Sequence, residues 1–112
     1  MDPSNSLRAI EVALRLAIRH VLGDEWIDAK GAPGRSGLEA KREEDRRRRD
    51  GAATSSELLE YVETYHLTAI IKGNWEVFKK VFGDRQRTLV YFHIVEDVRN
   101  SIAHSRDLMR RG

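Results

Sequence analysis

Apolar residues recur every three or four positions over most of this chain, a period that belongs to helices. Leu7, Ile10, Leu14, Ala17, Ile18 and Val21 keep to it in the first stretch. Ser4 or Ser6 supplies a cap and Gly23 a stop, so a helix is expected to run to about Leu22. Between Asp24 and Gly37 the period is lost. Gly31, Ala32, Pro33, Gly34, Ser36 and Gly37 read as a loop, with Trp26 and Ile27 folded back onto the core. A second helix is expected over Glu57–Leu67, opened by Thr54-Ser55-Ser56-Glu57 at capping-box spacing, with Leu58, Leu59, Val62, Tyr65 and His66 inward. Ala69, Ile70 and Ile71 extend its apolar content until Gly73-Asn74 interrupts it. Asn74 then caps a short helix, Trp75 to Phe82, whose Trp75, Phe78 and Phe82 form an aromatic ridge. Bases stack on such ridges, but aromatics at helical spacing ordinarily pack into a core, and that is the expectation here. Gly83 stops this helix and Asp84 caps the last and longest one, from about Arg85 to Met109. Tyr91, Ile94, Val95, Val98, Ile102 and Met109 mark its expected core stripe.

With 112 residues the chain is expected to be a single domain over 1–112. Its charge is unevenly placed. From Leu38 to Asp50 nearly every residue is charged, and the block ends in Arg46-Arg47-Arg48-Arg49. Glu43 with Arg47, Glu44 with Arg48 and Asp45 with Arg49 are i,i+4 pairs that support a solvated helix. Such a block serves either as a phosphate-tracking arm for RNA or as an exposed connector. The acids cancel most of the basic field, which favours the connector, a charged loop or insertion at about 28–53. The net charge of +2 permits RNA binding without demanding it. Cysteine is absent, so disulfides and thiolate metal sites are excluded. No apolar run reaches membrane-spanning length, and Met-Asp-Pro-Ser-Asn-Ser lacks the positive start of a signal peptide, so no membrane association and a cytoplasmic location are expected. The ending Arg110-Arg111-Gly112, directly after a helix, leaves open a module cut from a larger protein.

The candidate chemistry lies on the last helix. On a face apart from the core stripe, His93, Asp97, Asn100 and His104 follow at i, i+4, i+7 and i+11, with Glu96 and Arg99 at the edge. Arg99 and His104 stand about 140° apart around the axis and about 7.5 Å apart along it. A guanidinium clamps a phosphate through two parallel hydrogen bonds, and an imidazole moves protons near neutral pH. Together they suit metal-free phosphodiester cleavage. Glu96, Asp97 and His93 are expected to support or orient the groove. Spacing alone does not single the pair out, because Arg15 and His20 repeat it with Leu16 where the Asn would stand. A metal site from His93, Asp97 and His104 is geometrically allowed, but Asn and Arg in the same stripe are poor metal company, and neither metal nor cofactor is expected. Two plainer readings remain: solvent-facing charge near a helix C-terminus, and a non-catalytic helical module that dimerises and binds RNA or protein.

Arg99-Asn100-Ser101-Ile102-Ala103-His104, an Arg-Asn-x-x-Ala-His motif on the last long helix, resembles the signature of the HEPN superfamily (higher eukaryotes and prokaryotes nucleotide-binding). Many of its members are ribonucleases. The stretch Ile70-Ile71-Lys72-Gly73-Asn74-Trp75-Glu76-Val77-Phe78-Lys79-Lys80-Val81-Phe82-Gly83 is similar to the subgroup found in a eukaryotic nuclear RNA-surveillance endonuclease and in prokaryotic proteins. The resemblance covers roughly Leu58 to Leu108. It implies an all-α bundle of four or five helices that dimerises through the last long helix, bringing two motifs into one cleft. It also implies a metal-independent endoribonuclease, a toxin or defence effector, with RNA as substrate and an antitoxin, a nucleotidyltransferase or a fused domain as partner. His104 is then the acid/base residue, Arg99 stabilises the phosphate, and Asn100 orients one or the other.

Overall fold

The computed structural model describes residues 3–49 and 57–111, with Pro3, Arg110 and Arg111 as backbone only. All regular structure among the described residues is helical. Five helices occur in order: α1 (Pro3–Leu22), α2 (Arg35–Arg48), α3 (Thr64–Gly73), α4 (Trp75–Phe82) and α5 (Arg85–Arg111). Short 3₁₀ turns precede α2 and α3, at Gly23–Asp28 and Leu58–Tyr61. Helix α1 packs on α3, α4 and α5, and α2 lies against the second 3₁₀ turn. The 41 Å long dimension is the length of α5, 27 residues at about 1.5 Å each. No described helix is long and apolar enough to cross a membrane.

Helix α1 ends where expected, at Gly23, whose φ of +59° is the left-handed conformation that turns a chain out of a helix at no steric cost. The segment between α1 and the charge block is partly ordered rather than a loop. The 3₁₀ turn buries Trp26, and α2 begins at Arg35, three residues before the charge block. The block itself is helical. Glu43 and Arg47 lie 3.8 Å apart, Glu44 and Arg48 3.8 Å, and Asp45 and Arg49 3.0 Å. It is also docked: Leu38 is buried, the Tyr61 hydroxyl donates to Asp45 Oδ2 at 2.9 Å, and Lys41 Nζ lies 3.4 Å from Glu63 Oε1.

The second helix departs most from expectation. The capping box rests on residues 54–56, which lie outside the described residues. Beyond it, Leu58–Tyr61 forms a 3₁₀ turn, Val62 and Glu63 are extended, and α3 begins only at Thr64. Arg15 of α1 accounts for the break. Its Nε donates to the Leu59 carbonyl at 3.0 Å, which also accepts from the Val62 amide at 3.2 Å, and its Nη2 donates to the Val62 carbonyl at 2.9 Å, so the side chain takes up carbonyls that a regular α-helix would pair along its own ladder. Leu59 and Val62 still reach the core. The late start turns Tyr65 outward, 63% exposed, and gives the inner face to Thr64, Leu67, Thr68, Ile70 and Ile71.

Asn74 does not cap α4 through its side chain. Its Nδ2 donates instead to the Ile70 carbonyl at 2.7 Å and the Lys30 carbonyl at 3.0 Å, fastening the Lys30–Gly31 turn to the end of α3. The aromatic ridge is core, as expected. Phe78 is fully buried, and the Phe82 ring meets the Phe92 ring edge-on at 5.8 Å. That contact also sets the rotation of α5. Thr88, Phe92 and Val95 face inward, while Tyr91 and Ile94 are about half exposed and Met109 is 81% exposed. The expected stripe is therefore off by roughly 70° around the helix axis. The Asp84 cap is present, with Oδ1 accepting from the Arg87 amide at 3.1 Å.

Candidate functional site

Helix α5 presents three faces along one axis. Thr88, Phe92 and Val95 form the buried one. His93, Asp97, Asn100 and His104 form the polar stripe, all of them exposed. Between the two on the far side runs an exposed apolar strip of Val90, Tyr91 and Ile94. Arg99 continues the buried face one turn beyond Val95. It is half-buried at the edge of the inner face, where α5 passes the start of α3.

Two clefts meet at Arg99. The first, about 270 Å³, is walled by Glu63, Thr64 and Tyr65 from α3 and its approach, and by His93, Glu96, Asp97, Arg99 and Asn100 from α5. The second, of similar volume, continues toward the C-terminal end of α5. Arg8 and Glu11 of α1 face Ala103 and Arg106 across it, and Arg99, Glu63 and Thr64 are common to both.

The floor between the clefts is a buried polar lattice. Thr68 is fully buried and shares its one hydroxyl proton between Glu96 Oε1 at 2.8 Å and the Tyr65 carbonyl at 3.0 Å. Lys72 Nζ lies 3.7 Å from the same Glu96 oxygen. Thr64, also buried, donates to Glu11 Oε2 at 2.6 Å, tying α3 to α1. The carboxylates nearest Arg99 are thus engaged by other groups. Arg99 itself has no hydrogen-bond or ion-pair partner among the described residues. A guanidinium with its donors unspent has the geometry to receive an anion.

The structure therefore brings Arg99, Asn100, Asp97, Glu96 and His93 to one cleft and leaves His104 outside it. His104 is exposed on the outer side of α5 and lines neither cleft. His93 Nε2 and Asp97 Oδ2 lie 3.9 Å apart, both largely exposed. Among the described residues no three of His, Asp and Glu converge to hold a metal, so His93, Asp97 and His104 do not form a ligand set. Glu96 lines the cleft and also accepts from Thr68. The Arg15–His20 pair is also accounted for, since Arg15 is spent on the Leu59 and Val62 carbonyls. Sequence reading missed Thr64, Tyr65 and the Arg8–Arg106 wall. The one signal for the threonines was their i,i+4 spacing within an apolar helix.

Small all-helical bundles with a polar cleft along the longest helix form a broad class, and the class alone assigns no activity. No protein-family model, curated protein or solved structure matches this chain.

Proposed function

We propose that this protein is a metal-independent endoribonuclease of the HEPN type, cutting RNA by attack of its own 2′-hydroxyl at a site completed by a second copy of the chain. The observation that carries the reading is the half-buried Arg99, without a partner among the described residues, at the junction of the two clefts. Asn100 adjoins it, and His104 lies about one and a half turns further along the same helix.

In this scheme a histidine takes the proton of the 2′-hydroxyl, and the oxygen attacks phosphorus. The bond from phosphorus to the 5′-oxygen breaks, and a second histidine protonates the departing oxygen. The products are a 2′,3′-cyclic phosphate and a 5′-hydroxyl. Arg99 stabilises the charge on the phosphorane, and Asn100 orients the phosphate or the imidazole. Base and acid are both His104, one from each copy, which is why the site needs two chains. The exposed strip of Val90, Tyr91 and Ile94 supports this, because it lies beside the polar stripe and offers apolar area that a second copy would cover. DNA, lacking the 2′-hydroxyl, is not cut. A toxin or defence effector under an antitoxin or nucleotidyltransferase partner, in the cytoplasm, fits this activity.

The exposure of His104 outside both clefts favours a second reading, a non-catalytic module that binds RNA or protein. One assay separates the two. Purified protein is incubated with structured and single-stranded RNA in excess EDTA, beside Arg99→Ala and His104→Ala proteins of equal helical content. Cleavage by the wild type alone is the expected result. Equal cleavage by all three, or by none, removes the assignment.

A further inference from the structure

The second cleft holds more positive charge than its own carboxylates neutralise. Arg8, Arg99 and Arg106 line it, and none of the three has an ion-pair partner among the described residues. Two carboxylates line it with them, Glu11, which accepts from Thr64 at 2.6 Å, and Glu63, 3.4 Å from Lys41, so three guanidiniums face two carboxylates. Guanidiniums never lose their charge near neutral pH, so the cleft presents lasting positive charge to an entering anion.

The spacing says what kind of anion. Arg99 and Arg106 are seven residues apart, so they share one side of α5 and are separated by about 10.5 Å along its axis. Successive phosphates of a strand repeat along its length, so a span of this size suits a strand with more than one phosphate rather than a single anion. The neighbouring cleft adds a second, independent feature. Tyr65 is 63% exposed there, a flat ring in the cleft that Arg99 shares with Glu63, Glu96 and Asp97, and a ring beside a guanidinium can hold a single strand by stacking and backbone contact.

We propose that the cleft between α1 and α5 is a phosphodiester-tracking subsite. In it Arg8 and Arg106 hold the backbone of single-stranded RNA on the C-terminal side of Arg99, and Tyr65 stacks a base on the other side. The strand then lies along α5, with Arg99 at its middle. This rests on the ribonuclease reading and assigns the substrate's path and strandedness.

The test is fluorescence anisotropy with a labelled RNA of about twelve nucleotides, fully 2′-O-methylated so that binding is read without cleavage, over a series of salt concentrations. Arg8→Ala and Arg106→Ala should each weaken binding about 3- to 10-fold and lower the slope of log affinity against log salt by about 0.7. Arg35→Ala, on the exposed start of α2, should change neither. Arg8→Lys and Arg106→Lys, which keep the charge, should retain the slope and so separate loss of contact from loss of fold. Unchanged slopes in both alanine proteins overturn the subsite, as does a mononucleotide that competes as well as the strand. Arginine-dependent binding by a wild type that cuts no natural RNA sinks the ribonuclease reading alone. Cleavage with arginine-independent binding sinks the subsite alone.

Discussion

Arg99 and His104 lie on one helix but in different surroundings, and their loss should be read differently. Arg99→Ala removes a donor aimed at developing negative charge, and it should lower kcat/KM for RNA by about 10²- to 10³-fold with the thermal transition unmoved. Arg99→Lys keeps a charge but not the two-pronged fork, so it should recover only part of that loss. His104→Ala should cost about 10²- to 10⁴-fold, the range for a positioned acid or base, again without loss of stability because the ring is exposed. At this scale the sequence was informative where spacing implied a shared face, as for His93, Asp97, Asn100 and His104. It misplaced Tyr65, expected inward, because one guanidinium from α1, Arg15, broke the helix that would have turned the ring inward. No local pattern announces a hydrogen bond between residues 44 positions apart.

The elements are held in place by a few contacts that periodicity does not register. Gly31 has φ of +92°, and a Cβ there would lie 2.6 Å from the Ala69 carbonyl oxygen, a backbone atom that cannot swing aside. Gly31→Ala combines backbone strain with that clash and should destabilise the fold by about 2–4 kcal/mol, measured by urea unfolding. Helix α2 depends on a different link. The Tyr61 hydroxyl and then Arg49 hold the Asp45 carboxyl below its ordinary value of 3.8. A lowered carboxyl stabilises the fold above its unfolded value and ceases to do so as pH falls through the folded one. The stability difference between wild type and Tyr61→Phe should therefore be full near pH 6 and shrink as pH falls below the ordinary carboxyl value of 3.8. A difference that stays constant over that range would place the effect in packing instead. The positions of α1, α4 and α5 were legible from apolar period, glycine stops and the Asp84 cap. The rotation of α5 was not, because it is set by the meeting of Phe82 and Phe92, a tertiary contact.

For the whole molecule the question is what the far side of α5 meets. Val90, Tyr91 and Ile94 are exposed beside a stripe that carries His104, and the proposed site is incomplete in one copy. Light scattering should show a dimer at micromolar concentration. Ile94→Asp, at a position 54% exposed and so tolerant of charge in the isolated chain, should yield a folded monomer with cleavage reduced more than about tenfold. A monomeric Ile94→Asp protein that cuts RNA as fast as wild type would put a complete site in one chain. The all-helical architecture could be read from the sequence, and so could the helix that carries the candidate site. The junction of two clefts at Arg99 could not, since it depends on how α1, α3 and α5 come together. The chemistry itself is tested most directly by the ends left on the RNA after cleavage in excess EDTA. The account predicts a 2′,3′-cyclic phosphate on the upstream fragment and a 5′-hydroxyl on the downstream one. A 3′-hydroxyl paired with a 5′-phosphate would contradict it, because that pair requires water rather than the 2′-hydroxyl as the attacking group.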